Sequence, residues 1–223
     1  MGILYALCGP SGAGKTTLLQ LLQAKGIAGI RILPKATDRE PRPGEIEGLE
    51  YHFYSRENFL NKVFAGDFCH IENYQGTLFG IERDVVEDVV FGQTNGVMQT
   101  GIYGAAALIN LYPNDVRIFY MYVMPEFHLR STECLSAHSS STSELISRIK
   151  DKVQKKEFGA NPAVSEAVEK RMNANLVDLA SFNGFYRQRK DLVQTDRPKL
   201  RILPNLRDKQ EDTLRRFLEF SSN

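Results

Sequence analysis

The stretch that most constrains the fold is a glycine-rich segment near the start of the chain, Cys8-Gly9-Pro10-Ser11-Gly12-Ala13-Gly14-Lys15-Thr16-Thr17. Its first motif glycine is followed by four residues and then by Gly-Lys-Thr, which is the spacing of a phosphate-binding loop. The apolar run before it, residues 3–7, predicts a buried parallel strand, and residues 17–23 predict a helix. The order strand, loop, helix is the context that the motif requires. We therefore predict a nucleotide-binding loop, with a chance glycine-rich turn as the alternative.

Each residue type in this loop has a chemical role. Glycines let consecutive backbone N–H groups curve around a phosphate, and the start of the helix adds its positive dipole end. Lys15 is predicted to contact the β- and γ-phosphates, and the Thr16 hydroxyl is predicted to be a ligand of Mg²⁺. The predicted nucleotide-binding residues are Gly9, Ser11, Gly12, Ala13, Gly14, Lys15, Thr16 and Thr17.

Composition excludes several classes of protein. The 223 residues suffice for one domain with insertions or for two small domains. A net charge of +1 provides no general attraction to nucleic acid or to a membrane surface. The three cysteines form no C-x-x-C pair, which favours reduced thiols over a metal or redox centre. No apolar run approaches the ~20 residues of a membrane span. The sequence thus predicts a soluble cytoplasmic protein without nucleic-acid or membrane partners.

A second informative stretch runs from residue 37 to residue 53, Thr-Asp-Arg-Glu-Pro-Arg-Pro-Gly-Glu-Ile-Glu-Gly-Leu-Glu-Tyr-His-Phe. Its two prolines and two glycines exclude a helix, so it is predicted to be a loop that ends in a strand with Tyr51 and Phe53. Arg39 and Arg42, close to Tyr51, suit a fork-shaped receptor for a second phosphate group. On spacing alone, a solvated charged loop is an equal alternative.

Together these stretches resemble the guanylate kinase family, whose pattern reads Thr-Thr-Arg-x-Pro-Arg-x-Gly-Glu, then Asp-Gly, then Asp-Tyr-x-Phe. The likeness continues through Ser-Arg-Glu-Asn-Phe at 55–59 and Gly-Asp-Phe at 66–68. The segment Gln-Gly-Thr-Leu-Phe-Gly at 75–80 is similar to the family's Gly-Asn-Tyr-Tyr-Gly turn. The resemblance covers about the first 125 residues in unbroken order.

The resemblance implies an α/β fold with a three-layer P-loop kinase core around a parallel sheet and with inserted monophosphate-binding and lid domains. The alternation of predicted strands and helices favours the same parallel crossovers. The predicted parts are a core at 1–34, 82–125 and 172–223, a nucleoside monophosphate-binding domain at 35–81, and a lid with an insertion at 126–171. The insertion is predicted to cover a bulkier acceptor, to form an oligomer contact, or to be a tolerated surface segment. The oligomeric state stays open, with a homodimer as one option.

The resemblance also carries over site residues. Arg39, Arg42 and Tyr51 fall on the positions that bind the acceptor phosphate, and Glu45 lies beside them. Arg171 is the best match for a lid arginine that contacts the transferring phosphate, with Lys170, Arg130 and Arg148 as weaker candidates. The implied catalytic residues are thus Lys15, Arg39, Arg42 and Arg171, and the implied cofactors are ATP and Mg²⁺.

The departures from the family pattern lie where the base would bind. His70 replaces an acidic residue, and Gln99 and Gly101 stand at the two acidic positions of a further family segment, residues 98–104. A carboxylate accepts two hydrogen bonds from guanine, and these replacements cannot do so in the same way, which predicts a relaxed or redirected base choice. A partly buried histidine satisfied by its neighbours is the alternative for His70. The other implied substrate-binding positions with altered residues are Lys35 for Ser, Phe79 for Tyr and Ile81 for Ser or Thr.

The implied function is ATP-dependent phosphorylation of a nucleoside monophosphate, with GMP, dGMP or a different or modified deoxynucleotide as the acceptor. Two alternatives stay open, namely a kinase of another phosphorylated small molecule and an inactive protein-binding module of the guanylate kinase type. Kinases of the first kind usually lack the motif at 39–51, and modules of the second kind generally lose the loop lysine. Near the end of the chain, residues 192–196 resemble the family's last strand, and 200–203 and 209–220 are predicted to be an added strand and a closing helix.

Overall fold

The computed structural model describes residues 1–74, 76–123, 147, 163–193, 199–205 and 209–221. The strands are β1 Leu4–Cys8, β2 Ile30–Ile32, β3 Lys35–Thr37, β4 Tyr51–Phe53, β5 Phe68–Tyr74, β6 Thr77–Glu82, β7 Asn95–Gln99, β8 Val116–Val123 and β9 Leu200–Asn205. The helices are α1 Lys15–Ala24, α2 Arg56–Ala65, α3 Arg83–Val90, α4 Ile102–Leu111, α5 Ala163–Gln188 and α6 Gln210–Ser221, and Lys190–Leu192 form a 3₁₀ turn. None of the helices within these ranges is long and apolar enough to cross a membrane.

The strands form two sheets. The larger sheet has the order β2-β7-β1-β8-β9, and β7 runs parallel to both β1 and β2. All five residues of β1 are buried, as expected for a strand of a parallel sheet that reads as a continuous apolar run. The smaller sheet has the order β4-β3-β6-β5, with β5 and β6 joined as an antiparallel hairpin. The predicted α/β architecture with parallel strands is confirmed.

The chain divides into two compact units, which we describe separately. The first unit comprises residues 1–8 and 25–119 and contains the smaller sheet, and the second comprises residues 9–24 and 120–223 and contains the phosphate loop. In the second unit, Tyr120 stacks on Phe182 of α5 with ring centroids 3.5 Å apart, and α6 packs on α1 and β9 through buried Leu214 and Phe217.

The smaller sheet has two chemically different faces. One face packs on α2 through an apolar cluster of Ala36, Phe59, Phe68 and Leu78. The register of β5 against β6 shifts between Phe68 and His70, so that Phe68 pairs with Glu82 but His70 pairs with Ile81. Because of this shift, Phe68 packs on α2, whereas His70 and Glu72 lie on the opposite face of the sheet.

The α2 side also holds a buried carboxylate. Glu82 is 2% exposed, and it accepts hydrogen bonds from Tyr54 Oη at 2.9 Å and from His52, with Lys62 Nζ 3.2 Å away. Burial, together with the bond to Glu82, raises the pKa of Tyr54 to about 12. Partners on β4, α2 and the residue after β4 therefore satisfy this charge, as a buried carboxylate requires.

The prediction of a strand at residues 192–196 is wrong at its first residue. Leu192 belongs to a 3₁₀ turn and not to a strand, because its N–H donates back to the Arg189 carbonyl and its side chain is buried. The terminal strand is β9, which begins at Leu200. Of the predicted lid at 126–171, the structure describes only Ser147 and the backbone of residues 163–171.

Candidate active site

The phosphate loop connects β1 to α1, which begins at Lys15. Gly9, Gly12 and Gly14 all have positive φ angles, of 135°, 84° and 93°. Lys15 Nζ donates to the carbonyls of Gly9 at 2.6 Å and Pro10 at 2.9 Å, so the ammonium group lies over the loop backbone. A loop of backbone N–H groups with a lysine folded over it and a helix N-terminus behind it is a geometry that binds phosphate groups.

Two buried asparagines hold this loop, and both come from distant parts of the chain. Asn175 on α5 accepts from the Ser11 N–H at 2.7 Å and donates to the Ser11 carbonyl at 3.1 Å. Asn205 on β9 donates to the Ala13 carbonyl at 2.6 Å. A Cβ at Gly14 would lie 2.2 Å from Asn205 Nδ2, so glycine is needed there for close approach as well as for its φ.

The metal prediction rests on Thr16, whose side chain is exposed in the first turn of α1. The described residues contain no group of three or more His, Cys, Asp or Glu side chains that could hold a metal ion. Mg²⁺ usually takes one or two protein oxygens and fills its other positions with water and substrate phosphates, and the exposed Thr16 hydroxyl can supply one such oxygen. The loop therefore suits a magnesium ion that arrives with a nucleotide.

The second predicted phosphate receptor lies in the loop before β4. Arg39 makes a two-pronged pair with Glu45, with Nη1 and Nη2 each 2.7 Å from a carboxylate oxygen. The guanidinium carbon lies 4.9 Å from the centre of the Tyr51 ring. Glu45 also accepts from the Arg42 N–H at 2.8 Å, while the Arg42 side chain is exposed. The structure thus groups Arg39, Glu45 and Tyr51 and leaves the Arg42 side chain at the surface.

Hydrogen bonds keep the Glu45 carboxylate of this group ionised. Burial acts to raise the pKa of Glu45, but the hydrogen bonds from Arg39 and Arg42 outweigh it and lower that pKa below its ordinary value of 4.5. Glu45 is therefore ionised near neutral pH, and it orients the Arg39 fork on the aromatic ring. A carboxylate repels a phosphate, so this geometry supports a positioning role for Glu45 more than direct phosphate contact.

One face of the smaller sheet carries the residues predicted to surround the base, and we call it the acceptor face. Lys35 pairs with Tyr51 across β3 and β4, and Glu72 pairs with Phe79 across β5 and β6. The Tyr51 and Phe79 rings are 5.9 Å apart, and Lys35 Nζ lies 5.2 Å from the centre of the Phe79 ring. Lys35 Nζ is also 3.3 Å from Glu72 Oε1. Strand pairing thus brings Tyr51, Phe79 and Lys35 together.

His70 and Ile81 pair with each other farther along the same face. Ile81 is 1% exposed and packs in the core, and His70 is half-buried. Burial lowers the pKa of His70, so its imidazole is neutral at pH 7. His70 Nε2 is buried and has no hydrogen-bond partner within the described part of the chain. Contact of His70 with the base stays a prediction.

The last two altered positions lie at the end of β7 and just after it. Gln99 is half-buried at the end of β7, and Gly101 precedes α4. A Cβ at Gly101 would lie 3.2 Å from Glu72 Oε2, so Gly101 borders the acceptor face. Arg171 lies in α5, but the described part of that residue does not include its side chain, and Arg130 and Arg148 lie outside the described residues.

Four residues near these sites were not predicted from the sequence, and they are Glu72, Thr100, Asn175 and Asn205. Glu72 follows His70 by two positions on one strand, so the period of two was a usable signal. Thr100 is 4% exposed, and its Oγ1 has no partner among the described residues. The two asparagines are 164 and 192 residues away from the loop residues that they bind, and no local pattern marks them.

Comparison with known proteins gives a consistent result. The family model described as guanylate kinase matches residues 2–172. The guanylate kinase of Symbiobacterium thermophilum is 32% identical over 147 residues, which are 66% of this chain and 68% of that protein. The guanylate kinase of Fusobacterium nucleatum is 30% identical over 71% of this chain and 83% of its own length. The human guanylate kinase is 30% identical over 73% of this chain and 81% of its own length.

A solved structure shows the same fold. The crystal structure of guanylate kinase from Anaplasma phagocytophilum matches this chain with a TM-score of 0.63 at 18% identity. The match covers 99% of this chain and 85% of that one. At this identity the likeness concerns the fold, and it confirms the predicted P-loop kinase architecture.

Proposed function

Because the chain belongs to the guanylate kinase family of nucleoside monophosphate kinases, we propose that it transfers the γ-phosphate of ATP to a nucleoside or deoxynucleoside monophosphate. We further propose that the base of the acceptor is bound by a set of groups different from the family's carboxylates, so that base choice is changed from guanine alone. The division into a core, an acceptor domain at 35–81 and a lid at 126–171 is part of this proposal. A cytoplasmic location of the protein is likewise a prediction.

The observation that supports this proposal is that both phosphate receptors are kept. The phosphate loop has Lys15 Nζ over the Gly9 and Pro10 carbonyls, and the acceptor loop has Arg39 held by Glu45 against Tyr51. A protein-binding module has no use for the lysine, and kinases of other small molecules usually lack the arginine loop. Two receptors for phosphate groups are what a phosphoryl transfer between nucleotides requires.

The chain's own residues supply charge and position. Lys15 exchanges its two carbonyl partners for phosphate oxygens, and its charge offsets the charge that builds up on the transferring group. Arg39 orients the acceptor phosphate through guanidinium N–H groups other than those bonded to Glu45, and Glu45 fixes the direction of the guanidinium. No general base is needed, because an acceptor phosphate oxygen is already anionic. When bound at Thr16, Mg²⁺ neutralises phosphate charge.

The predicted lid completes the proposal. Arg171 on α5 is the proposed lid arginine for the γ-phosphate, and lid closure would exclude water that otherwise hydrolyses ATP. Asn175 lies one helical turn farther along the same helix and binds Ser11 of the phosphate loop. Movement of α5 on lid closure would therefore act on the loop through Asn175.

The test is a turnover screen of the purified protein with ATP and Mg²⁺ against all ribo- and deoxynucleoside monophosphates, including base-modified ones. We expect diphosphate formation from at least one acceptor. ATP binding without turnover of any acceptor would favour the protein-binding module, and activity restricted to GMP and dGMP would refute the changed base choice.

The matched variants are Lys15→Ala and, as a control, Lys25→Ala at the exposed residue directly after α1. Lys15→Ala should lower kcat on the order of 10²- to 10³-fold, because it removes a positive charge that acts on the transferring phosphate. Lys25→Ala should leave kcat unchanged. An unaffected rate in Lys15→Ala would disprove the mechanism.

A further inference from the structure

We propose that Glu72 and Lys35 are the groups that read the acceptor's base, and that they select a base with a lactam edge, which is a ring N–H next to a carbonyl. This inference rests on the proposed function and names residues of the same site. Glu72 has no counterpart among the base-reading positions predicted from the sequence, and Lys35 stands where a small serine was expected.

The Glu72 carboxylate occupies the space that Gly101 leaves open. A Cβ at Gly101 would lie 3.2 Å from Glu72 Oε2, so an acidic side chain at 101 would place a second carboxylate against the first. Glycine at 101 and glutamate at 72 are therefore coupled choices. The negative charge is kept at this point, but it arrives from β5 and not from the residue before α4.

Lys35 gives this carboxylate a neighbouring donor. Lys35 Nζ lies 3.3 Å from Glu72 Oε1, and the two side chains are 11% and 33% exposed. Glu72 Oε2 faces Gly101, so the pair presents an ammonium donor beside a carboxylate acceptor. A lactam edge has the complementary order, because its carbonyl accepts and its ring N–H donates. The amino group and bare ring nitrogen of adenine or cytosine have the opposite order and would leave both charged groups unmatched.

Unpaired polar atoms lie around Gly104, three residues after Gly101. The position where a Cβ would stand on Gly104 is 2.2 Å from Thr100 Oγ1 and 3.2 Å from His70 Cδ2. Thr100 is only 4% exposed. Its hydroxyl and His70 Nε2 have no hydrogen-bond partner in the described residues. Buried polar atoms normally have partners, and their absence here indicates groups that a ligand would satisfy. Neutral His70 and Thr100 are suited to further polar atoms of the base.

The test compares acceptors that share a ring system and differ at the proposed edge. IMP and AMP form one such pair, and UMP and CMP form the other. The wild-type protein will prefer one of the two ring sizes. Within that pair, kcat/KM should be higher for the lactam base than for its partner, on the order of 10²-fold or more. Glu72→Gln should lower that ratio about 10- to 100-fold, since a charge-assisted hydrogen bond is lost, and should leave KM for ATP unchanged.

Two controls separate base reading from folding. Glu57→Gln makes the same chemical change on the exposed surface of α2 and should leave the ratio unchanged. The double variant Glu72→Ala with Gly101→Asp returns a carboxylate to the same space and should recover part of the ratio lost in Glu72→Ala. No recovery in a folded double variant would contradict the coupling of positions 72 and 101.

Failure of this inference is distinct from failure of the proposed function. An AMP preference over IMP, or a ratio that Glu72→Gln does not change, would overturn the base-reading role while kinase activity stands. Isothermal titration of IMP and AMP measures the same discrimination without turnover. If no monophosphate is phosphorylated but IMP still binds through Glu72, only the proposed function fails. Equal weak binding of IMP and AMP would overturn the inference.

Discussion

Removal of the Asn205 side chain should destabilise the protein through the phosphate loop. Asn205 is 5% exposed, its Nδ2 donates to the Ala13 carbonyl at 2.6 Å, and its Oδ1 accepts from Thr213 Oγ1 at 3.1 Å. In Asn205→Ala the Ala13 carbonyl is left buried and unpaired, which costs about 1–3 kcal/mol. Loss of the bond to Asn205 costs the Thr213 hydroxyl less free energy, because this hydroxyl also donates to the Lys209 carbonyl at 3.4 Å. The expected total is about 2–4 kcal/mol.

The assay is thermal and urea denaturation followed by circular dichroism. A loss of this size should lower Tm by roughly 5–15 °C for a chain of this length. Asn175→Ala is the comparison variant. The Asn175 side chain is also buried, at 3% exposure, but the Ser11 N–H and carbonyl that it binds belong to a half-buried residue, where water can replace the two bonds, so its cost should be about 1 kcal/mol. Both variants should raise KM for ATP. A change below about 0.5 kcal/mol in Asn205→Ala, or a larger loss in Asn175→Ala, would refute the role of burial in this reasoning.

Two further predictions concern the acceptor side of the chain. Glu45→Gln should cost about 1–2 kcal/mol at pH 7, because the charged pair with Arg39 is partly buried. Because the folded-state pKa of Glu45 lies below 4.5, this stabilisation is present above pH 4.5 and is lost as the pH falls below it. Urea denaturation about one pH unit below 4.5 should therefore show a smaller difference in the free energy of unfolding between the two proteins than at pH 7. A difference that grows on acidification would contradict this. Gly104→Ala should destabilise by about 1–3 kcal/mol, since its Cβ would lie 2.2 Å from Thr100 Oγ1. Gly184→Ala, in the same kind of helical setting but with nothing within 4 Å of its Cβ, should stabilise by about 0.5–1 kcal/mol. Thermal denaturation measures both changes, and stabilisation by Gly104→Ala or destabilisation by Gly184→Ala would refute the packing argument.

Local features were predictable from the residues themselves. The phosphate loop, its flanking strand and helix, and the strand that bears Tyr51 and Phe53 are all encoded within short windows. Their conformations depend on the sterics of glycine and proline and on apolar periodicity, both of which act between near neighbours. The grouping of Arg39, Glu45 and Tyr51 is of the same kind, since all three lie within one loop and its strand.

The misplaced strand at residue 192 shows the opposite case. Leu192 is apolar and stands before another apolar residue, which suits a strand as well as a buried turn. Burial of its side chain and the bond from its N–H to Arg189 decide for the 3₁₀ turn. Short apolar runs do not distinguish these outcomes, because the choice depends on what packs against them.

The base-reading side was only half visible in the sequence. The replacements at positions 70, 99 and 101 show that carboxylates are missing from the expected places, and Ile81 removes an expected hydroxyl. They do not show that Glu72 supplies one, because this depends on three elements meeting in space. The register shift in β5 turns Glu72 toward the acceptor face, β3 brings Lys35 beside it, and the start of α4 leaves room at Gly101.

By itself, the sequence therefore determined that a phosphate loop joins a buried strand to a helix and that an arginine loop follows it, because these conformations arise from interactions between neighbours in the chain. The tertiary structure decided which side chains surround them. Asn175 and Asn205 bind the phosphate loop from 164 and 192 residues away, and Glu72 fills the space beside Gly101 from another strand. Contacts of this kind depend on strand register and helix packing, which the whole chain sets and no short window contains.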